Sequence, residues 1–251
     1  MNLYDVHSHI LPQIDDGAEN VDVSVNIINT LYNQGVRHIC LTPHYYTHQE
    51  SMESFLSSRE SSFNLLKPSL PSDIEFCLGA EVYVTDIIMN NKSLKPVCYG
   101  NSDYILLEFP YSTTFTGSSY EFLFRIISQY GVMPILAHIE RYEGLIKNPK
   151  LLQKLSSEGV MFQTNAVSYK NKAIFRKFKK LLNKDLIHFI GSDAHNMIRN
   201  SPTTYGETFE LINKKVGKFP VDNINQNAKR LFEIAKWKAQ PFNQLCLNFI
   251  V

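Results

Sequence analysis

Asp5-Val6-His7-Ser8-His9 closes the first apolar run of the chain, Leu3–Val6, and sets its two histidines at i and i+2. In an extended strand such side chains point the same way, so both imidazoles face one side and can share one cation. Imidazole is the commonest protein ligand for zinc and serves manganese and iron as well. Seven residues past His9 comes Asp16, within the glycine-containing stretch Ile14-Asp15-Asp16-Gly17. An HxH pair alone is a weak sign of a metal. Its weight depends on how the later apolar runs end.

Those runs alternate with amphipathic segments along the whole chain. Strands are predicted at Leu3–Val6, Arg37–Thr42, Ile74–Ala80, Asp103–Leu107, Val132–Ala137, Val160–Thr164 and Leu186–Ile190. Helices are predicted from about Val21 to Gln34 with Val21, Val25, Ile28 and Tyr32 inward, from Gln49 to Leu66, and after the capping box Ser118-x-x-Glu121. Further helices are expected at Pro149–Ser157, at Lys172–Leu182, after Thr204-x-x-Glu207, and from Asp222 to Lys236, with a short helical piece near Asp86–Asn91. Strands separated by helices imply a parallel sheet with right-handed crossovers. The near-continuous apolar strands imply cover on both faces. A barrel would carry all the strand C-termini on one face, where barrel active sites lie; an open doubly wound sheet is the alternative.

The 251 residues suit one α/β barrel or two small domains, and 44% hydrophobic content is enough for a large core. Lys+Arg 25 against Asp+Glu 24 argues against nucleic-acid or membrane binding driven by bulk charge. The acidic and histidine-rich first ten residues do not read as a signal peptide, and no apolar run is long enough for a transmembrane helix. Cys40, Cys77, Cys98 and Cys246 lack CxxC spacing and read as reduced thiols of a cytoplasmic protein.

At the predicted C-terminal ends stand His7 and His9, His44 after Pro43, Glu81, Glu108, His138, and a second i, i+2 pair, Asp193 and His195; Asp16 joins from the first loop. Each alone has an ordinary explanation as a surface histidine or a capping carboxylate. Together, four carboxylates and five imidazoles converging without a cation would desolvate and repel one another at large cost. The set exceeds the needs of one ion and suits two or three, with manganese, iron or zinc all compatible with nitrogen and oxygen donors. His38, His48 and His188 lie elsewhere and read as structural or solvent-facing.

These residues resemble the PHP (polymerase and histidinol phosphatase) superfamily through Asp5-x-His7-x-His9, Thr42-Pro43-His44, Gly79-x-Glu81, Ala137-His138 and Gly191-Ser192-Asp193-Ala194-His195-Asn196. The longer opening, His7-Ser8-His9-Ile10-Leu11-Pro12-x-Ile14-Asp15-Asp16-Gly17, is similar to that of the CpsB/YwqE-type manganese-dependent bacterial protein-tyrosine phosphatases. The resemblance covers almost the whole chain. It implies a single domain over residues 1–251, a distorted (β/α)7 barrel and a trinuclear centre. By that resemblance His7, His9 and Asp193 hold one ion, Glu81 bridges to a second completed by Glu108 and His138, and Asp16, His44 and His195 hold a third. Arg141 matches a phosphate-binding arginine. The family's second arginine position is Asn200 here, with Arg199 one residue earlier as the candidate replacement.

The resemblance further implies hydrolysis of phosphotyrosine in a protein, typically the tyrosine-rich tail of a bacterial tyrosine kinase controlling capsule or exopolysaccharide synthesis. Bound divalent ions lower the pKa of water toward ~7 and so supply a nucleophile at neutral pH. His44 or a metal-bound water is a candidate general acid, and Tyr111–Gly117 and Tyr45–Glu50 are candidate peptide contacts. A cysteine-based mechanism is excluded: the arginine it needs six positions after the nucleophile is replaced by Tyr46, Tyr83 and Tyr104 after Cys40, Cys77 and Cys98. Rival readings are a histidinol-phosphatase-like small-molecule enzyme, an amidohydrolase, and a metal-stabilised binding module without activity. Homo-oligomerisation is left open by the sequence.

Overall fold

The opening apolar run forms β1 (Leu3–Asp5), which pairs in parallel with β2 (Val36–Leu41). The computed structural model describes residues 2–115 and 117–236, so Cys246 and Thr116 lie outside the described residues. Between the two strands runs α1 (Val21–Asn33), opened by Asn20, whose side chain accepts from the Val23 N–H. Of the expected face, Ile28 is buried and Val21, Val25 and Tyr32 pack half-buried against the core, beside a fully buried stripe of Ser24, Ile27, Ile28 and Leu31. Ser24 hides that stripe in the sequence. Its hydroxyl donates to the Ile10 carbonyl at 2.6 Å, which makes a polar residue acceptable at a core position.

The second and third predicted strands form, and each is resumed by a short strand beyond a bend. β2 yields at Thr42-Pro43 to β3 (His44–Tyr46), and β4 (Glu75–Leu78) yields at Gly79-Ala80 to β5 (Glu81–Tyr83). Proline has no N–H to give a ladder. The parallel pairing still carries across the break: the Gly79 N–H donates to the Leu41 carbonyl at 2.9 Å and the Glu81 N–H to the Pro43 carbonyl at 3.0 Å. Each pair is thus one bent strand, and His44 and Glu81 begin the segment beyond the bend.

β6 (Tyr104–Glu108), β7 (Met133–Leu136), β8 (Met161–Asn165) and β9 (Phe189–Gly191) continue the parallel order, giving sheets β1-β2-β4 and β3-β5-β6-β7-β8-β9. The other helices are α2 (Met52–Leu66), α3 (Gly117–Tyr130), α4 (Glu143–Ile146), α5 (Pro149–Ser157), α6 (Lys172–Leu182), α7 (Tyr205–Lys215) and α8 (Lys218–Ala235). α3 begins at Gly117, one residue before Ser118, and Thr204 sits at the start of α7 without the side-chain cap bond expected of it. α8 begins before Asp222 because Pro220 is compatible with a first helical turn.

The circuit closes at one seam. Among the described residues no continuous ladder joins β9 to β1; a single parallel bridge pairs Ser8 with Ala194. The Asp193 N–H donates to the His7 carbonyl at 2.8 Å and the His9 N–H to the Ala194 carbonyl at 3.0 Å. Gly191 permits this approach, since a Cβ there would lie 2.5 Å from the Cβ of His7. The Tyr205 hydroxyl, on α7, lies 2.6 Å from the Tyr4 carbonyl and 2.8 Å from that of Ile190, spanning the seam. The outcome is the distorted (β/α)7 barrel that the sequence leads one to expect, with its regularity lost at the bends and the seam.

Tyr4, Val6, Cys40, Cys77, Leu106, Ile135, Ala137 and Phe189 fill the interior, and α8 packs Leu231 and Phe232 against them. His38 stacks on Tyr4 with ring centroids 4.1 Å apart, and His188 accepts from the Phe162 N–H at 3.0 Å, so both are structural as expected. No helix among the described residues is long and apolar enough to cross a membrane. Tyr205→Phe is expected to remove the hydroxyl's donation across the seam and to cost ~1–3 kcal/mol. A fall of several degrees in the thermal midpoint checks this.

Candidate metal centre

The bends and the seam bring every predicted ligand to one place. Glu81, the first residue of β5, is fully buried and occupies the middle. Its Oε2 lies 3.2 Å from His7 Nε2, 3.2 Å from His9 Nε2 and 3.1 Å from His44 Nδ1. Its Oε1 lies 2.7 Å from His138 Nε2, which is also 3.4 Å from Glu108 Oε1. His7 Nε2 and His9 Nε2 are 3.2 Å apart, the convergence that their i, i+2 spacing foretold. Asp193 Oδ1 stands 3.6 and 3.3 Å from the same two nitrogens. Asp16 Oδ1 lies 3.6 Å from His44 Nε2 and 3.4 Å from His195 Nε2.

Three overlapping groups have ligand atoms close enough to share a cation: His7, His9, Glu81 and Asp193; His9, Asp16, His44 and His195; and His44, Glu81 and Glu108. Glu81 and His44 each belong to two of them, and so does His9. His138 stands outside these groups but touches Glu81.

The donor set fits divalent ions. Glu81 Oε2, His44 Nδ1 and His195 Nε2 are buried without a hydrogen-bond partner among the described residues. Buried polar atoms are rarely left so, and an acceptor oxygen ringed by imidazole nitrogens is a costly arrangement that a cation converts into a favourable one. Burial, with the Glu81 charge adding to it, pushes the Glu108 carboxyl up to about 8. Burial raises Glu81 and Asp193 too, but the neighbouring His7 charge, with His44 for Glu81 and His9 for Asp193, more than offsets it and holds both carboxyls below the usual range. The hydrogen bond from His195 and that from Arg199 hold Asp16 down despite partial burial. Burial drives His44 to about 4, so its imidazole is neutral at pH 7, the state that ligates.

The surrounding residues fix which atoms face inward. Asp193 Oδ2 accepts from Asn165 at 2.6 Å, Asn200 at 2.9 Å and Arg141 at 3.0 Å, leaving Oδ1 toward His7 and His9. Asp15 accepts from His9 Nδ1 at 2.7 Å, which assigns the proton there and turns Nε2 toward the centre; it also accepts from the His44 and Gly17 backbone N–H groups. Gly17 packs where a Cβ would lie 2.2 Å from the His9 carbonyl. Gln163 Oε1 accepts from the His138 N–H at 2.6 Å and stands 3.4 Å from His7 Nδ1, and its amide donates on to Asn165 at 2.9 Å. Asp193 and His138 both hold left-handed backbone, φ 52° and 32°, a strain that recurs at functional sites.

Sequence reasoning missed Asp15, Gln163 and Asn165. Asp15 had a signal in its place between His9 and Asp16; the amides of β8 had none. Arg141, one-third exposed, donates to Glu108 Oε1 at 3.0 Å as well as to Asp193. Arg199 pairs with Asp16, while Asn200, where the resemblance implies an arginine, donates to Asp193.

Comparison with known proteins agrees with this geometry. The family model described as "Capsular polysaccharide synthesis, CpsB/CapC" matches residues 3–233. The chain is 31% identical over 249 residues to tyrosine-protein phosphatase CpsB of Streptococcus pneumoniae, covering 92% of this chain and 95% of the relative. It is 31% identical over 248 residues to tyrosine-protein phosphatase YwqE of Bacillus subtilis, covering 95% of each. A solved structure from work on those two proteins, described as unique metal-dependent tyrosine phosphatases, superposes with a TM-score of 0.76 at 26% identity, over 95% of this chain and 98% of that one. A barrel with this ligand-bearing face, matched from residue 3 to residue 233, belongs to the CpsB/CapC family.

Proposed function

We infer that this protein is a metal-dependent phosphoester hydrolase that removes phosphate from phosphotyrosine in proteins. The observation that carries the reading is Glu81 Oε2, buried and unpaired amid His7, His9 and His44, with the Arg141 guanidinium beside the same cluster. The relatives' names support the tyrosine-phosphatase assignment. One PHP-type domain spans the chain in this reading.

His7, His9, Glu81 and Asp193 hold one ion; Asp16, His44 and His195 hold another; Glu108 and His138 complete a site with Glu81. Two or three ions are bound, manganese by preference, with iron or zinc as substitutes. When bound, they lower the pKa of water and neutralise phosphate charge. The chain's own residues do the rest. Arg141 presents a planar fork of N–H donors suited to two phosphate oxygens. Arg199, held by Asp16 at the rim, supplies a second donor. Donors fixed before substrate arrives stabilise the charge that builds on the equatorial oxygens. A tyrosine leaving group, with a pKa near ~10, departs with little proton assistance. His44 is neutral at pH 7, so ligation suits it better than acid catalysis.

The substrate is the tyrosine-rich tail of a bacterial tyrosine kinase that governs capsule or exopolysaccharide synthesis, and the setting is cytoplasmic. Turnover of a phosphotyrosine peptide by the purified protein tests the reading. Exhaustive chelation is expected to abolish activity and added manganese to restore it. Undiminished activity after chelation refutes the metal requirement. Preference for histidinol phosphate, or for a lactone or amide, transfers the assignment to a small-molecule phosphatase or an amidohydrolase. Stoichiometric metal without turnover of any phosphoester leaves a binding module.

A further inference from the structure

Above the candidate ligands lies a second layer of side chains, drawn from the Tyr45–Glu50 stretch and from β5. β3 and β5 pair His44 with Glu81 and, two residues on, Tyr46 with Tyr83. Side chains two apart in a strand share a face, about 6.6 Å along it. Tyr46 therefore stands over His44, and Tyr83 over Glu81, toward the C-terminal mouth. The rings touch one another: Tyr46 stacks on His44 at 5.0 Å between centroids, and Tyr46 and Tyr83 are 5.6 Å apart. His48, from the turn that follows β3, lies 5.9 Å from Tyr46 and 5.8 Å from Tyr83.

The layer is rigid. The Gln49 N–H donates to the Tyr46 carbonyl at 2.9 Å, and the Thr47 and Thr85 hydroxyls meet at 2.8 Å, tying the two segments after the strands together. Tyr46 and Tyr83 are half-buried and His48 is exposed, so ring surface remains open beside the centre.

Resting on the phosphatase reading above, we propose that Tyr46, Tyr83 and His48 form an aromatic wall that receives the phenyl ring of an aryl phosphate whose phosphate lies among His44, Glu81 and Glu108. Two strand residues span the step from a phosphate at the lower layer to the ring that follows it. Offset or edge contact between aromatic rings favours an aryl over an alkyl ester. The wall thus contributes to selection of phosphotyrosine over phosphoserine at the ring, one layer away from the phosphate.

Steady-state kinetics on manganese-loaded protein test this, with p-nitrophenyl phosphate and a phosphotyrosine peptide as substrates and inorganic phosphate as a ringless competitive inhibitor. Tyr83→Leu and His48→Ala are expected to raise KM for both aryl esters about 3- to 10-fold. The phosphate inhibition constant should stay within about twofold, metal content should be unchanged, and Tyr83→Phe should restore KM. His48, being exposed, keeps the test open if Tyr83→Leu does not fold. An active wild type whose variants keep their aryl KM, or lose phosphate affinity in parallel, overturns the wall alone. A manganese-loaded wild type without turnover overturns both the wall and the phosphatase reading.

Discussion

Glu81→Gln is expected to reduce phosphotyrosine turnover by about 1,000-fold or more and to lower the metal content of the purified protein by at least one ion per chain. Both oxygens of Glu81 are committed, Oε2 toward three imidazoles and Oε1 toward His138 at 2.7 Å. Glutamine preserves the volume and removes the charge. It also places an N–H donor where a cation or an imidazole N–H should sit. Because Glu81 belongs to two of the three overlapping ligand groups, the loss spreads beyond one ion. Elemental analysis alongside kinetics checks the result, and full metal content with wild-type turnover would remove Glu81 from the centre.

Arg141→Ala is expected to lower kcat/KM by about 100- to 1,000-fold, the scale of losing one preorganised charge-stabilising donor. Metal content should remain close to wild type, which separates this effect from that of Glu81→Gln. The guanidinium donates to Glu108 and Asp193 at 3.0 Å each and is one-third exposed, so it can turn a donor edge to a phosphate without leaving the cluster. Arg141→Lys should recover little, because a point charge cannot bridge two carboxylates and meet two phosphate oxygens in one plane. A weaker inhibition constant for inorganic phosphate in both variants would trace the loss to the phosphate. Unchanged phosphate inhibition would assign Arg141 a purely structural part.

The ligand face was legible because strand ends concentrate chemistry. Histidines at i, i+2 and carboxylates closing apolar runs are visible in one dimension, and His7, His9, His44, Glu81, Glu108, His138, Asp193 and His195 all arrive where the strand boundaries put them. That pairing resumes beyond Thr42-Pro43 and Gly79-Ala80 was not legible, since only hydrogen bonds across the gap show it. Nor were Gln163 and Asn165, whose task depends on His7, His138 and Asp193 being brought near from distant parts of the chain. The inward face of α1 was read only in part for a related reason: the partner of the Ser24 hydroxyl is a carbonyl in the loop after β1.

The seam between β1 and β9 carries a consequence for synthesis on the ribosome. Its fastenings join residues 4–9 to residues 190–194, and the Tyr205 clasp comes later still. A nascent chain that has extruded His7, His9 and even His138 has no Asp193 to answer them. The pocket for the cations therefore forms only once residues 193–195 have emerged, and its assembly is set by contacts between segments far apart in the chain rather than by any local one.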